Sequence, residues 1–522
     1  MHAIVENNLI QLLFPYDYGI VQAIRGMPDR KYDPKTKIWT VPLEWFEQIE
    51  PALKQLECQG LDEVRVKWEA FKGLGSQLNE LSEAIEGDFR SELPLYPFQR
   101  AIAQFMLQAG NSLNASFVGS GKTLTMLAVL DKLEVKNALI VCPKSVIGVW
   151  KSEIKKWLPL TPIAFTITNY EQVRLKPWNY SGGYDVIVCD EAHRLGNSRT
   201  QTYKSLASLP SKHRFGLTAT PLMNRVLDLW AITNWLNPGV LGSFKSFADR
   251  YCIKNAWGGL VAVANLDELA GRLKRYVIRK TLDEVGIEMP KRVIENIVFD
   301  LSPAEARLMK QIKQELLFEI EKMDISKIND PTTLQMTIVK MNKLIELGDS
   351  MELLGRTTKS TKTEILKDHL RDTLVNGNKA VIFSRFERMV KILERELPQY
   401  NPLVITGAVD DRAEIIRKFQ EEDENQIMIM TEAGGEGITL TRANYLYNID
   451  LPWSNGKYEQ RLGRIYRIGT TKPVFVYNLL ARQSPDRWIF KKLLNKQALA
   501  GAVYGEQPMT MESIKESLTD EE

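Results

Sequence analysis

The chain has 522 residues, of which 44% are hydrophobic and 25% are charged. This length predicts two to four domains, and this composition is typical of globular proteins with large cores. The formal net charge of +3 is close to neutral, so any surface for a polyanion must be local and offset by acidic faces elsewhere.

Composition also excludes several classes of protein. The cysteines lie far apart, without a CxxC pair or a Cys/His cluster, so we expect neither disulfides nor structural zinc: Cys58, Cys142, Cys189 and Cys252. The first residues lack the pattern of a secretory signal. No apolar run reaches the roughly 18 residues that span a bilayer. We therefore expect a soluble protein of a reducing compartment, without a membrane partner.

The first 88 residues differ from the rest in their aromatic clusters and are predicted to form a small module. Basic residues surround Tyr32 and Trp39, among them Lys35 and Lys37. This mixture suits phosphate contacts beside a platform on which bases stack. In the alternative interpretation, the aromatic residues are only the core of an accessory domain.

From residue 93 onward, short β-branched and apolar runs alternate with helical patterns such as those at 152–158 and 413–422. Continuous runs of this kind suit central strands of a parallel sheet, so the pattern predicts an α/β architecture. The runs form one group before residue 222 and another after residue 378: 138–143, 185–193, 215–221, 380–385, 402–407, 427–434 and 474–480.

The region between the two groups, residues 225–375, is predicted to be mostly helical. It forms either a separate domain or helical insertions rooted in two α/β lobes. We adopt the second alternative, with lobes at 89–290 and 291–502. The last residues, 503–522, form an acidic tail.

A glycine-rich segment precedes the helical pattern at 124–133. Such a loop presents backbone N–H groups to phosphate oxygens at a helix N-terminus. Lys122 is then expected to meet the β- and γ-phosphates, and the Thr123 hydroxyl to bind Mg²⁺. The first position of the usual GxxxxGK[ST] pattern is serine here, in the run Ser116, Phe117, Val118, Gly119, Ser120, Gly121, Lys122 and Thr123.

A second signal is Asp190-Glu191-Ala192-His193, which ends an apolar strand. Ligands of open α/β sheets bind at the carboxyl ends of the strands. Asp190 is predicted to hold Mg²⁺ through water, and Glu191 to orient and deprotonate the attacking water. After a third strand, the hydroxyls of Thr218-Ala219-Thr220 either connect these acids to motion of the lobe or only cap the strand end.

In the second half, Arg464 and Arg467 lie three residues apart. We predict a helix here, on which both side chains share one face. Planar guanidinium groups suit the charge that spreads over a γ-phosphoryl group during transfer. A glycine loop at 431–437 follows a strand just upstream and favours this interpretation over a solvated basic face.

In this order, the segments resemble the SNF2-type ATPases of helicase superfamily 2, over roughly residues 93–482. The resemblance implies two RecA-like lobes with parallel sheets and helical insertions. The first-lobe segments are 95–106, 120–125, 140–157, 167–173, 190–193, 217–224 and 276–292; those of the second are 379–386, 405–407, 431–454 and 460–469. Glu436 departs from the family, which has an apolar residue there.

The N-terminal segment 12–49 is similar to a HARP domain, the DNA-binding module of the annealing-helicase branch, and implies a small α+β fold. The likeness rests on Phe14, Pro15, Tyr16, Tyr32, Lys37, Trp39 and Pro42. Thr439, where the commoner remodelers have asparagine, also resembles that branch.

The family implies a cleft between the lobes that binds Mg²⁺ and ATP. Gln99 occupies the position that contacts adenine, and Gly119, Ser120, Gly121, Lys122 and Thr123 hold the phosphates. Arg464 and Arg467 act as arginine fingers when the lobes close. The expected DNA contacts are Lys35, Lys37, Trp39, Lys144, Asn169, Ser384, Thr406 and Thr431.

We therefore expect a monomeric, ATP-dependent translocase on duplex or forked DNA that remodels or anneals branched DNA in replication or repair. Its compactness suits a bacterial or viral protein of the cytoplasm; a eukaryotic one is expected in the nucleus. Two alternatives remain: a DEAH-type helicase that separates RNA or DNA strands, and a nucleic-acid-binding module whose ATPase has decayed.

Overall fold

The computed structural model describes residues 1–84, 86–219, 226–254, 260–322, 331–356, 359–375, 377–409 and 412–490. These residues form two compact units that divide between Gly286 and Ile287. The division lies near the predicted boundary at residue 290. The predicted tail, 503–522, is outside the described residues.

The chain begins with an antiparallel sheet of four strands in the order β1-β2-β4-β3, packed against helices. Alternate residues of β2, Ile10 and Leu12, point into the core beside Val41 and Phe46. The predicted α+β module is confirmed. Its elements are β1 His2–Glu6, β2 Leu9–Leu13, α1 Tyr18–Arg25, β3 Lys31–Asp33, β4 Ile38–Pro42, α2 Phe46–Gln55 and α3 Leu61–Glu83.

The rest of the first unit is an α/β lobe. Its helices and strands are α4 Pro97–Ala109, β5 Ser112–Asn114, α5 Lys122–Lys132, β6 Asn137–Cys142, α6 Ile147–Trp157, β7 Ala164–Asn169, α7 Tyr170–Leu175, β8 Tyr184–Asp190, α8 Gln201–Ser208, β9 Ser211–Leu217, α9 Val226–Leu236, α10 Phe244–Tyr251, β10 Cys252–Lys254, β11 Leu260–Val263, α11 Leu266–Leu273 and β12 Val277–Ile278.

Six of these strands form one parallel sheet in the order β12-β5-β9-β8-β6-β7. The run Ala138–Cys142 in β6 is fully buried, because helices cover both faces of the sheet. This burial explains why an uninterrupted apolar run predicted a central strand.

The second unit contains another α/β lobe. Its elements are β13 Arg292–Phe299, α12 Pro303–Lys322, α13 Pro331–Asp349, α14 Thr361–Thr373, β14 Ala380–Phe383, α15 Glu387–Glu396, β15 Leu403–Ile405, α16 Ala413–Glu421, β16 Ile427–Met430, α17 Glu432–Gly435, β17 Tyr445–Asn448, α18 Asn455–Leu462 and β18 Val474–Ala481.

Its sheet is also parallel, in the order β13-β18-β17-β14-β16-β15. Two cores cover its faces. In β14, Ala380 and Ile382 belong to one core, and Val381 and Phe383 to the other. The alternation shows how one apolar strand supplies both layers. The prediction of two α/β lobes with parallel sheets is confirmed.

The region predicted as mostly helical divides between the units: α9 to α11 belong to the first, and α12 to α14 to the second. It also contains strands β10 to β13, which the sequence analysis missed. Within the described ranges, no helix is long and apolar enough to cross a membrane.

Candidate functional site

The glycine-rich loop lies between β5 and α5, at the carboxyl edge of the first sheet. Gly119 and Gly121 have φ angles of +82° and +76°, the left-handed region that favours glycine. A Cβ on Gly121 would lie 2.3 Å from Nε2 of Gln99. Glycine is therefore required here both by its backbone angle and by the close approach of Gln99.

Lys122, the first residue of α5, donates hydrogen bonds of 2.8 Å to the carbonyl oxygens of both Ser116 and Phe117. Gln99 is buried and donates from Nε2 to the carbonyl of Ser120 at 2.8 Å, while its Oε1 accepts from the backbone N–H of Tyr96. Gln99 thus braces the loop. Its predicted contact with adenine remains a prediction.

Ser116, which stands where the usual pattern has glycine, is fully buried. Its hydroxyl accepts from the backbone N–H of Lys280 at 3.2 Å, a bond that glycine could not make. Ser120, inside the loop, is also buried, and its Oγ has no hydrogen-bond partner among the described residues. A buried hydroxyl beside a helix N-terminus suits the oxygens of a phosphate chain.

Asp190 ends β8, as the sequence predicted. Its Oδ2 accepts from the indole Nε1 of Trp150 at 2.9 Å, and its Oδ1 accepts from the N–H of Glu191 at 2.9 Å. Burial and the neighbouring Glu191 raise the pKa of Asp190 to about 6, while Trp150 and Lys122 oppose that shift. Lys122 lowers the pKa of Asp190 because its positive charge, at the end of the phosphate loop, lies close to the carboxylate.

Glu191 has a φ angle of +54°, an uncommon conformation for a non-glycine residue. Its Oε2 lies 3.1 Å from Nδ1 of His193, which lies 3.2 Å from Oγ1 of Thr218. The predicted link between these acids and the Thr218 hydroxyl therefore runs through His193, to which the sequence analysis gave no role. Thr220 lies outside the described residues.

The hydrolytic candidates of the first lobe meet at one sheet edge, because β9 lies between β5 and β8. The N–H of Thr218, just after β9, donates 3.0 Å to the carbonyl of Asn114 in β5. Thr123, the second residue of α5, is half-buried. Hydroxyl and carboxylate oxygens such as those of Thr123 and Asp190 suit Mg²⁺, which commonly takes its other ligands from phosphate and water.

In the second unit, the predicted helical placement of Arg464 and Arg467 is wrong. Helix α18 ends at Leu462, and both arginines lie in the following turn. Gly463 is the C-cap, and glycine is a common residue at helix ends. The Arg464 guanidinium donates to the carbonyl of Ile438, and Nη1 of Arg467 contacts Oγ1 of Thr439.

Arg461, in the last turn of α18, is buried, and the sequence analysis assigned it no role. It donates to Asn448 at 2.8 Å, to the carbonyl of Asp450 at 2.6 Å and to Glu432 at 2.6 Å. It thereby fixes α18 to the carboxyl end of β17. Burial opposes ionisation of Glu432, but Arg461 holds its pKa below the ordinary value. The only signal in the sequence is that Arg461 shares a run with two other arginines.

A cavity of about 200 Å³ lies beside this turn and is lined by Glu432, Glu436, Gln460, Arg461 and Arg464. Glu436 is the residue that departs from the family pattern. Its position in a cavity that Arg461 and Arg464 also line is compatible with a charged side chain.

Two candidate DNA contacts of the first lobe lie at the carboxyl ends of adjacent strands. Lys144 is exposed just after β6, and Asn169 is the last residue of β7. Asn169 is paired in register with Cys142 of β6. It also caps α7, because its side chain accepts from the N–H of Gln172 at 2.9 Å. Both lie at the same sheet edge as Asp190.

Three candidate contacts of the second lobe follow neighbouring strands β14, β15 and β16. Ser384 is fully buried and donates its hydroxyl hydrogen to Asp450 at 2.6 Å. Thr406 and Thr431 are nearly buried, and Thr431 caps α17 by accepting from the N–H of Gly434. The three residues therefore lie at one edge of the second sheet. The Ser384 hydroxyl already donates its hydrogen to the Asp450 carboxylate.

In the N-terminal module, Lys35 and Lys37 are exposed in the turn between β3 and β4. The rings of Tyr32 and Trp39 lie 5.0 Å apart between centroids. Tyr32 is 42% exposed, whereas Trp39 packs against the core of the module. Trp39 therefore has the packing role of the alternative interpretation, while Tyr32 keeps an accessible face.

Comparison with protein families gives three matches in chain order. The HepA-related protein (HARP) family matches residues 10–64, the SNF2-related domain matches residues 98–186 and 166–347, and the helicase conserved C-terminal domain matches residues 361–469. The glycine-rich loop and Asp190 lie within the second match, and Arg464 and Arg467 lie within the third.

Individual relatives agree with these matches. The chain is 26% identical over 510 residues to "Uncharacterized ATP-dependent helicase YqhH" of Bacillus subtilis, covering 89% of each chain. It is 24% identical over 469 residues to "DNA repair and recombination protein RAD54-like" of Gallus gallus, covering 75% of this chain and 64% of that protein.

Among solved structures, the "Sulfolobus solfataricus SWI2/SNF2 ATPase core domain" is 26% identical, with a TM-score of 0.38, and the match covers 83% of this chain and 95% of that one. The phosphate loop, the acidic strand end and the three family matches support one assignment. The chain belongs to the SNF2 family of helicase-like proteins, carries a HARP domain and is an ATP-hydrolysing enzyme.

Proposed function

We propose that this ATPase translocates on double-stranded DNA and uses that motion to remodel or reanneal branched DNA. The observation that carries the proposal is the arrangement of one sheet edge. Lys144 follows β6, Asn169 ends β7, and Asp190 ends β8, which also pairs with β6. A polymer held at this edge therefore lies beside the residues proposed to act on ATP.

The chemistry of the proposed contacts suits a motor that must ignore base sequence. Asn169 and Thr431 each accept a backbone N–H through oxygen. An amide or hydroxyl that accepts in this way keeps N–H or O–H protons with which to donate to phosphate. Contacts of this kind fix position on the backbone without reading bases, so the protein can step along it.

For hydrolysis, the residues of the first lobe have distinct proposed roles. The loop residues 119–123 hold the phosphates, Gln99 lies beside the base, and Thr123 and Asp190 hold Mg²⁺. Glu191 deprotonates the attacking water. Arg464 and Arg467 are proposed to stabilise charge on the γ-phosphoryl group when the lobes close, so that each turnover couples chemistry to motion.

The choice of branched DNA rests on the N-terminal module. Its exposed Lys35 and Lys37 stand beside Tyr32, which combines charge for phosphates with an accessible aromatic face. The printed names of the RAD54-like relatives, DNA repair and recombination proteins, agree with a DNA substrate. We propose that the module holds a junction while a monomeric motor translocates.

The test is ATP hydrolysis measured at fixed salt with no polymer, single-stranded DNA, duplex DNA, forked DNA and RNA. We expect duplex and forked DNA to stimulate turnover most. Stimulation by RNA but not by DNA would favour an RNA helicase. Equal turnover in all samples would show that ATP hydrolysis is not coupled to nucleic acid. Lys122→Ala is the control for contaminating ATPase.

A further inference from the structure

Residues 272–280 of the first lobe, here called the coupling segment, contact the N-terminal module. This segment contains the end of α11 and the short strand β12. Four of its cations contact the module: Arg272, Lys274, Arg275 and Lys280. None of these contacts is implied by the ATP site or by the proposed DNA contacts.

Arg272 forms the anchor. It is 7% exposed and lies 3.0 Å from Asp29, which is 5% exposed. It also pairs with Glu44, and its guanidinium lies 5.5 Å from the centre of the Trp45 ring. Burial opposes its charge, but Glu44 and Asp29 hold the pKa of Arg272 above the ordinary value. A buried arginine between two carboxylates is costly to disturb, because removing one partner strands a charge.

The fit around this anchor is close. Asp29 accepts from Nε1 of Trp45 at 3.0 Å and from Oγ of Ser246 at 2.9 Å. Gly242 has a φ angle of +71°, and a Cβ there would lie 2.6 Å from Oδ1 of Asp29. The module is therefore bonded to α10 through Ser246 and packs closely against the loop before that helix at Gly242.

The far end of the coupling segment reaches both α3 and the phosphate loop. Nζ of Lys280 donates 2.6 Å to the carbonyl of Ser82 in α3. Its backbone N–H donates to the hydroxyl of Ser116, and its carbonyl accepts from the N–H of Phe117 at 3.0 Å. Lys280 thus contacts the module through its side chain and the loop through its backbone.

Ser116 and Phe117 are also the two residues whose carbonyls hold the Lys122 ammonium. Further hydrogen bonds join the coupling segment to β5, the strand that precedes the loop. The N–H groups of Leu113 and Ala115 donate to the carbonyls of Tyr276 and Ile278 at 2.7 Å. A displacement of the coupling segment would therefore move the loop that carries Lys122.

We propose that the coupling segment transmits the position of the N-terminal module to the phosphate loop, with Lys280 as the positioning residue. Lys280 touches no reacting atom. It sets the placement of Ser116 and Phe117, and hence of the ammonium that meets the phosphates. A misplacement of about 1 Å in such a site is enough to weaken function markedly.

The experiment uses the full chain and measures the dissociation constant of a fluorescent ATP analogue with Mg²⁺, a readout that needs no DNA. Lys280→Met keeps the length of the side chain but removes its bond to Ser82. It is expected to weaken nucleotide binding about tenfold, the scale of a lost charge-assisted hydrogen bond. Lys274→Met is the matched control. Lys274 lies in the same segment and also pairs with α3, through Glu83, but this ion pair is exposed and involves no residue of the phosphate loop.

A second variant, Asp29→Asn, loosens the anchor without touching the loop and changes little in size. It is expected to weaken nucleotide binding in the same direction. In the double variant, the increase in the dissociation constant should be smaller than the product of the two single increases, because both substitutions act through one segment. Thermal unfolding identifies folded protein; a purely structural role would lower the folded fraction without changing the dissociation constant of what remains.

Unchanged nucleotide binding in folded Lys280→Met or Asp29→Asn would overturn the proposal. Effects that multiply independently would also overturn it, as would an equal loss in Lys274→Met. Each of these outcomes leaves the proposed DNA activity untouched.

Discussion

The indole Nε1 of Trp150 donates a hydrogen bond of 2.9 Å to Oδ2 of Asp190. Trp150 is fully buried on α6, the helix that begins three residues after Lys144. A proposed DNA contact and a proposed Mg²⁺ ligand are thus linked by one helix. Hydrogen bonds of this kind orient a ligand for its metal.

Replacing Trp150 with Phe should raise the Mg²⁺ concentration needed for half-maximal ATP hydrolysis by about tenfold. The N–H of Trp150 is one of the influences that hold down the pKa of Asp190. Its loss leaves the carboxyl group less well oriented and protonated over a wider pH range, so Mg²⁺ must compete with the proton. The control is Trp157→Phe on the same helix, whose indole bonds to Glu153. An unchanged Mg²⁺ dependence would show that Trp150 does not orient Asp190 for the metal.

Glu191→Gln should bind ATP nearly normally and yet hydrolyse it at least about a hundredfold more slowly, because the general base is lost while the shape is kept. Titration of a fluorescent nucleotide and steady-state turnover give the two quantities. Glu171→Gln, an exposed position paired with Arg174, is the control. Near-normal turnover in Glu191→Gln would show that another group activates the water.

Arg467→Ala should lower DNA-stimulated turnover by about 10³ or more and leave DNA affinity largely intact. Arg467→Lys should not restore turnover, because lysine lacks the planar fork of donors. The matched control is Arg482→Ala, which removes an exposed arginine 3.7 Å from Asp300. Normal stimulated turnover in the Arg467 variants would make this residue a structural one that packs against Thr439.

The pair Lys35→Glu and Lys37→Glu should weaken affinity for forked DNA more than affinity for blunt duplex, because both lysines lie in an exposed turn of the module. Anisotropy at fixed salt measures both affinities, since phosphate contacts depend strongly on salt. The pair Lys54→Glu and Lys72→Glu makes the same charge change elsewhere in the module. If both double variants lose affinity for forked DNA equally, the turn does not bind DNA and is only a solvated part of the surface.

Much of this fold follows from local patterns. The strands at 138–143, 185–193 and 427–434 were predictable because buried parallel strands require uninterrupted apolar runs. The phosphate loop was predictable because left-handed angles at Gly119 and Gly121 favour glycine at fixed spacing.

Other features depend on contacts between distant residues, and no local pattern encodes them. Ser116 and Lys280 are 164 residues apart in sequence, and only the packing of β12 beside β5 makes them neighbours. Arg272 and Asp29 are also far apart in sequence, and only the packing of the N-terminal module on the first lobe brings them into contact. The misplaced helix at Arg464 is different, because Gly463 was a local warning that the helix ends there.

The measurement that tests the central claim most directly is a strand-displacement assay beside an annealing assay on forked DNA, with ATP and with a non-hydrolysable analogue. Separating strands costs on average about 1.4 kcal/mol per base-pair step, whereas a motor that follows intact duplex avoids this cost. The account predicts rewinding that requires ATP and fails in Lys122→Ala, with little release of a paired oligonucleotide. Efficient ATP-dependent release of a fully paired oligonucleotide, without rewinding, would contradict it.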